Sequence, residues 1–144
     1  AVVEAVTDEF DGGLDKICLF YWHKDVGDVL HDGLSKFNPV RLDGSTSDKD
    51  RTAAVQEFQS GSARVFLGQI QAAGEAIDLS SSAELWFVET SFTPKDQAQA
   101  ALRITNIEQK RHPFVKVVTL AGSIDEVIQS RLMMLWSSIK EVLA

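Results

Sequence analysis

The stretch QAQAALRITNIEQK, Gln97 to Lys110, concentrates side chains able to meet an anion. Gln99, Arg103, Asn106 and Gln109 are separated by steps of three or four residues, which place side chains on one face of a helix. An arginine offers a planar fork of donors and a permanent charge, and both suit the oxygens of a phosphoryl group. Asn106, one turn further on, is neutral and too short to repeat that contact. The alternative for Arg103 is a bridge to a surface carboxylate.

Other chemistry-bearing residues are sparse. His23, His31 and His112 are scattered, with no carboxylate or cysteine at metal-ligand spacing. Cys18 lies inside the apolar run KICLFYW and reads as a small buried hydrophobe. Asp125 and Glu126 follow Gly122 and Ser123 into the first turn of a helix, where carboxylates favour the helix dipole. None of the nine glycines is followed by lysine, so the phosphate loop Gly-x4-Gly-Lys-Ser/Thr is absent. If a nucleotide is bound, its phosphates and magnesium must be held by something else.

The elements that position these residues follow from the apolar pattern. KICLFYW (16–22) is too short for a helix and reads as a buried strand, PVRLDG (39–44) as a strand followed by a turn, and ARVFLGQI (63–70), ELWFVE (84–89) and FVKVVTLA (114–121) as further strands. Between them, KDVGDVLHDGLSKF places Val26, Val29, Leu30, Leu34 and Phe37 at helical spacing, with Asp25 as cap. Ser47 or Asp48 caps a helix whose apolar face is Ala54, Val55 and Phe58, and Gly61 ends it. Further helices are expected after Pro94 and from Ser123 to Leu143. Strands alternating with helices, and apolar throughout, imply a parallel α/β sheet covered on both faces. Ligands of such sheets gather at the carboxyl ends of the strands, which here means the loops at 23–25, 43–47, 69–75, 89–99 and 121–123.

At 144 residues, with 44% hydrophobic and 24% charged residues, the chain suits one globular domain. No apolar run is long enough for a membrane span and no signal peptide is visible, so the default location is cytosolic or nuclear. The net charge of −7 repels nucleic acid as a whole and restricts any contact to a local patch. The first fifteen residues carry Glu4, Asp8, Glu9, Asp11 and Asp15 and no base, and read as an acidic leader or linker with a helix possible at its start. Residues 16–144 form the domain proper. Ala1 in place of Met suggests a chain cut from something longer.

LFYWHKDVGDVL, VRLDGSTSDKDRTAAVQEFQSG, VFLGQIQAAGEAIDLSSSAELWFVETSFTPKDQAQA and QKRHPFVKVVTLAGSIDEVI, taken in order, resemble the second RecA-like (helicase C-terminal) lobe of Swi/Snf-type DNA translocases of helicase superfamily two. The likeness runs from about Lys16 to Leu132. The IQAAGE wording is nearest to the bacterial, phage and fork-remodelling (annealing helicase) branch. The resemblance implies a three-layer RecA-like fold, with a mostly parallel sheet of five or six strands and helices on both faces.

It also implies roles for single residues. His23 and Lys24 match a motif lying against the phosphate backbone of the tracked strand, and Gly44, Ser45 and Thr46 match a second backbone-contacting element. The hydroxyls of that turn equally suit a plain turn and helix cap. Ile70 to Asp78 matches the loop coupling DNA to nucleotide: Ile70 and Gln71 near the DNA, Gly74 allowing close approach, Glu75 and Asp78 holding the loop or reaching the ribose. Ala73 and Ala76 stand where the family usually has glycine. In the last motif Gln99 and Arg103 are kept, while Asn106 replaces the second arginine and Glu108 a glycine. An arginine finger contributes roughly 10³ to 10⁵ in rate.

The expectation is the C-terminal motor lobe of a DNA-dependent ATPase, supplying half of the ATP cleft and part of the surface for duplex or forked DNA. ATP and Mg belong to the complete two-lobed protein, and none is expected on this lobe alone, which is expected to be inactive without its N-terminal RecA-like ATPase partner. The location implied is the bacterial or phage-host cytoplasm, or the nucleus in a eukaryote. The competing expectation is a degenerate lobe serving as a non-catalytic interaction or regulatory module, for which Asn106, Glu108, Ala73 and Ala76 argue. A receiver-like or dinucleotide-binding domain is disfavoured, since no acidic cluster or glycine-rich loop follows the first strand.

Overall fold

Every residue of ICLFY is apolar, and a strand can bury such a run only if both of its faces are covered. In the computed structural model, which describes residues 2–69, 77–89, 95, 103–104 and 113–117, this segment is β1 (Ile17–Tyr21), buried along its whole length. It lies at the centre of a five-stranded sheet with β2 (Pro39–Leu42), β3 (Val65–Gln69), β4 (Glu84–Phe87) and β5 (Phe114–Val117). The order is β2-β3-β1-β4-β5. All pairings are parallel, with Leu19 opposite Leu67 on one side and Trp86 on the other.

The alternation of side chains divides the core in two. Ile17, Leu19 and Tyr21 join Val65, Leu67 and Trp86 on one face, beneath α1 (Val2–Asp11) and α2 (Lys24–Gly33). Cys18 and Phe20 join Leu42, Phe66, Leu85 and Phe87 on the other, beneath Phe58 of α3 (Asp48–Ser60) and with Leu79 and Ile104. The fold class expected from the pattern is the one observed.

Local differences have local causes. The acidic stretch that composition reads as a leader holds α1, whose Val6 and Phe10 are buried while Glu4, Asp8, Glu9 and Asp11 stay exposed. Arg64 fastens its end, donating to the carbonyls of Leu14 (2.9 Å) and Asp15 (3.1 Å) and stacking on Phe10. Gly13, at φ 110°, makes the turn out of α1 that a side chain would resist. The apolar spacing expected to run to Phe37 is split: α2 ends at Gly33 and a 3-10 turn covers Ser35–Phe37, closed by Asn38 in the left-handed region. Val29 faces solvent, because Val26 and Leu30 already turn α2 onto the sheet. Ser47 caps α3, accepting from the Asp50 amide at 3.2 Å, and Gly61 ends it. The helices expected after Pro94 and from Ser123 lie outside the described residues, Lys95 apart.

Candidate functional site

In a parallel sheet all strands deliver their exits to one edge, so loops distant in sequence become neighbours. Here β1 delivers Trp22, His23 and Lys24, β2 delivers Asp43 to Thr46, β3 ends on Gln69, and β4 continues into Val88 and Glu89.

The loop after β2 is built from its own residues. One Asp43 carboxylate oxygen accepts from the Ser45 amide (2.8 Å) and the Ser45 hydroxyl (2.6 Å), while the Asp43 amide donates to the Thr46 hydroxyl (2.9 Å). The Thr46 amide closes the turn on the Asp43 carbonyl at 3.1 Å. Hydrogen bonding by the Ser45 hydroxyl, against the cost of partial burial, holds the Asp43 carboxyl below its ordinary value, with Lys24 and Arg41 adding charge attraction. Both hydroxyls expected to meet a ligand are engaged in the turn, and Gly44 is exposed.

The loop after β1 is built from elsewhere. His23 occupies the N-cap position of α2 without a side-chain cap bond, so Asp25 is a first-turn residue and not the cap. The donors go instead to Glu89: its carboxylate accepts from the Trp22 amide (2.7 Å) and the His23 amide (2.8 Å), and its other oxygen lies 2.7 Å from His23 Nδ1. Desolvation opposes the charge of Glu89, but these bonds from His23 and Trp22 outweigh it and hold the carboxyl below its ordinary value. Gln69 completes the ring, donating to the Trp22 carbonyl (3.1 Å) and accepting from the Gly44 amide (3.3 Å).

Beneath both loops lies Arg41. It donates to the Tyr21 hydroxyl (3.0 Å), to Asp28 (2.5 Å) and to the Lys24 carbonyl (2.9 Å), joining β2, β1 and the start of α2. Burial raises the Tyr21 hydroxyl above its ordinary value, with Arg41 opposing. Gly27 is what lets α2 sit this close: a Cβ there would come within 2.5 Å of the Tyr21 ring and 2.7 Å of the Arg41 guanidinium. The His23 ring is 71% exposed and Lys24 is also exposed, so the imidazole and the ammonium group of this edge stand outermost.

On the α3 face, the Leu79 amide donates to the Arg103 carbonyl at 3.0 Å. Asp78 and Arg103, expected on the nucleotide side, are thereby brought onto adjacent segments, with Leu79 and Ile104 buried between them and the sheet. Asp78 accepts from the Ser80 amide at 2.9 Å. Partial burial lowers the Arg103 guanidinium from its ordinary value, though an arginine remains cationic under any such shift. Ile70, Gln71, Gly74, Glu75, Gln99, Asn106, Glu108 and Gln109, like Ala73 and Ala76, lie outside the described residues. So do Asp125, Glu126 and His112. Among the described residues no group of histidine, cysteine and carboxylate side chains could hold a metal ion by itself.

The family described as the helicase conserved C-terminal domain matches residues 2–108. The chain belongs to that family. This helicase C-terminal domain is 35% identical to Chromodomain-helicase-DNA-binding protein 1-like of Danio rerio over 108 residues, covering 72% of the chain and 10% of that protein. It is 30% identical to the SWI/SNF-related matrix-associated actin-dependent regulator of chromatin subfamily A-like protein 1 of Xenopus tropicalis over 144 residues, covering 98% of the chain and 14% of that protein. Among solved structures it resembles the C-terminal part of the Fun30 ATPase domain, with a TM-score of 0.75 and 28% identity over 81% of the chain and 38% of the other. The helicase domain is thus homologous to the C-terminal lobe of Swi/Snf-type ATPases and has their RecA-like fold. It spans 10% and 14% of the two curated relatives named. The relatives compared come from animals, a plant and yeasts. They give no support to the bacterial and phage branch that the IQAAGE wording suggests. The family match includes α1, so the acidic first residues lie within the matched region.

Proposed function

We propose that this domain is the C-terminal motor lobe of a DNA-dependent ATPase of Swi/Snf type, supplying one wall of the ATP cleft and part of the surface that meets DNA backbone. The observation that carries the reading is the joining of the two expected backbone-contacting loops. His23–Lys24 and Gly44–Thr46 lie on one sheet edge and are tied to each other through Gln69. Phosphate contacts position a protein without reading sequence, and the exposed Lys24 side chain and the first turn of α2 are the groups suited to them. Arg103, with Gln99 four residues before it in the sequence, is assigned to the γ-phosphate side of ATP, with Asp78, Glu75 and Gly74 assigned to the coupling loop and Ile70 and Gln71 toward the DNA. The chemistry of phosphoryl transfer is supplied by ATP and Mg when held between this lobe and an N-terminal ATPase lobe. The finer assignment to a fork-remodelling branch rests on the wording of residues 70–75, and the eukaryotic relatives favour a nuclear place of action.

Two measurements test this. Phosphate release by the isolated chain, with and without duplex DNA, is expected to stay at the buffer level, since the chain has no Gly-Lys phosphate loop. Turnover clearly above the control would reject the assignment of the phosphates to a second lobe. Lys24→Ala is expected to weaken duplex binding about equally across sequences and to lower the salt slope by about one. Binding unchanged by that substitution would remove this loop from the DNA surface.

A second reading, a non-catalytic regulatory lobe, is favoured by Asn106 standing where the resemblance expects arginine. In a two-lobed parent, Asn106→Arg is expected to raise DNA-stimulated turnover if loss of that charge is what weakens the motor.

A further inference from the structure

Two side chains to which neither the motif pattern nor the functional reading gives a role hold the loop after β1 from its two sides. Glu89, at the exit of β4, takes both the Trp22 and His23 amides, at 2.7 and 2.8 Å, and meets the His23 ring at 2.7 Å. Gln69, the last residue of β3, takes the Trp22 carbonyl with its amide nitrogen, and with its oxygen the Gly44 amide of the other loop. The polar backbone groups at the exit of the central strand are thus engaged by side chains from both flanking strands. Neither loop could shift without straining its bond to Gln69.

The charge of Glu89 makes the arrangement informative. A carboxylate beside a phosphate-binding loop should, through charge alone, reduce affinity for DNA. Yet its side chain is only 21% exposed and turned onto three donors. We propose that Glu89 and Gln69 are positioning residues for DNA contact: they fix the backbone from Trp22 to Lys24, and its offset from Gly44, in the geometry that presents Lys24 and the first turn of α2 to phosphate. The proposal rests on the reading above that these loops face DNA. Main-chain donors left at β1's exit without a partner would draw the loop toward water or another acceptor.

The sign of the effect separates this role from simple electrostatics. Glu89→Leu, Glu89→Gln, Gln69→Leu and Lys24→Ala would be made in the 144-residue chain and measured by fluorescence anisotropy on a labelled duplex oligonucleotide over a range of salt. Glu89→Leu removes a negative charge, yet is expected to weaken binding about fivefold, on the scale of one lost positioning hydrogen bond. The slope of log affinity against log salt should fall by about one as the phosphate contact is lost. Glu89→Gln, which keeps one acceptor oxygen, is expected to fall between Glu89→Leu and the unaltered chain, and decides the matter if Glu89→Leu does not fold. Gln69→Leu should weaken binding with no change in net charge. Amide resonances of Trp22 and His23 are expected to move upfield in the Glu89 variants while those of β3 stay in place. Tighter or unchanged binding in the Glu89 and Gln69 variants, together with weaker binding in Lys24→Ala, overturns the positioning role and leaves the DNA reading standing. Unchanged binding in Lys24→Ala overturns the DNA reading and the proposal with it.

Discussion

The two loops at the sheet edge adopt defined conformations by opposite means. The turn after β2 is closed by Asp43, Ser45 and Thr46 acting on one another within four residues. The turn after β1 is closed by Glu89 and Gln69, which lie 66 and 47 residues away. The first would hold much of its shape in a short peptide, because side-chain-to-backbone turns of aspartate and serine are local. The second exists only once β3 and β4 have paired with β1. A self-made turn can serve as a fixed platform, whereas a loop held by its neighbours reports on whether the sheet around it is intact. The loop carrying the exposed histidine and lysine is the dependent one.

The largest expected effect breaks the support under both loops at once. Gly27→Ala would gain about 1 kcal/mol in helix propensity. Against this, its methyl group would enter the Tyr21 ring at 2.5 Å and the Arg41 guanidinium at 2.7 Å. Overpacking of this kind costs about 1–3 kcal/mol, and the buried ring has no flexible end to swing aside, so the upper part of that range applies. A net loss of about 2 kcal/mol is expected, measured by urea unfolding. The variant should also separate Arg41 from the Lys24 carbonyl. Equal stability of variant and parent would mean that α2 can ride up without cost, and that the hub under the loops is soft.

Asp43→Ala sharpens the contrast by damaging the local turn alone. It removes the acceptor for the Ser45 amide and hydroxyl, in a carboxylate that is 13% exposed. About 1–1.5 kcal/mol of stability is expected to go, the upper end for one ordinary hydrogen bond, since the turn is partly open to water. The disturbance should be confined to residues 43–47 in amide spectra, with the Trp22 and His23 amides moving only as far as Gly44 drags Gln69. Shifts as large at Trp22 as at Ser45 would show that the two loops form one unit and that the local closure described above is secondary.

The same contrast explains how far the sequence could be read. The strands, their parallel arrangement and the Ser47 cap were legible because short, continuously apolar runs and capping chemistry are local signals, as was the DGSTS turn. Asp25 was the wrong cap because α2 starts at Lys24, which puts His23 at the N-cap and Asp25 in the first turn, while the amides just ahead of the helix are taken by Glu89, whose approach depends on the β1–β4 pairing. Val29 kept helical spacing but turned outward, since spacing gives a face and not its width. The acidic first residues looked unattached because charge count hides an amphipathic stripe: Val6 and Phe10 are four apart on α1 and both buried. Gln69 and Glu89 were legible only as the first residues of the strand-exit loops at 69–75 and 89–99, and nothing in their type or spacing marked them as partners of Trp22 and His23. The residue pair Asp78 and Arg103 was assembled only by resemblance, and the structure brings their segments together through the Leu79 amide.

The smallest expected effect on stability is the most discriminating for function. Gly44 sits in the turn after β2, and a turn glycine usually signals either a positive φ or close approach of another group. Among the described residues Gly13 is the glycine with positive φ, so Gly44 needs no conformational licence. A Cβ at Gly44 would meet nothing nearer than the Gln69 side-chain oxygen at 4.0 Å, so the folded chain leaves the space open. Gly44→Ala should therefore change stability by no more than about 0.5 kcal/mol while leaving the Asp43 bonds intact. If the empty space above Gly44 is where DNA backbone approaches, the same substitution should weaken duplex binding severalfold in a chain whose unfolding curve has not moved. Loss of binding without loss of stability would separate function from folding at one atom. Equal binding would reduce the DGSTS turn to the cap and connection that its own hydrogen bonds already explain, leaving the dependent loop after β1 to carry the contact alone.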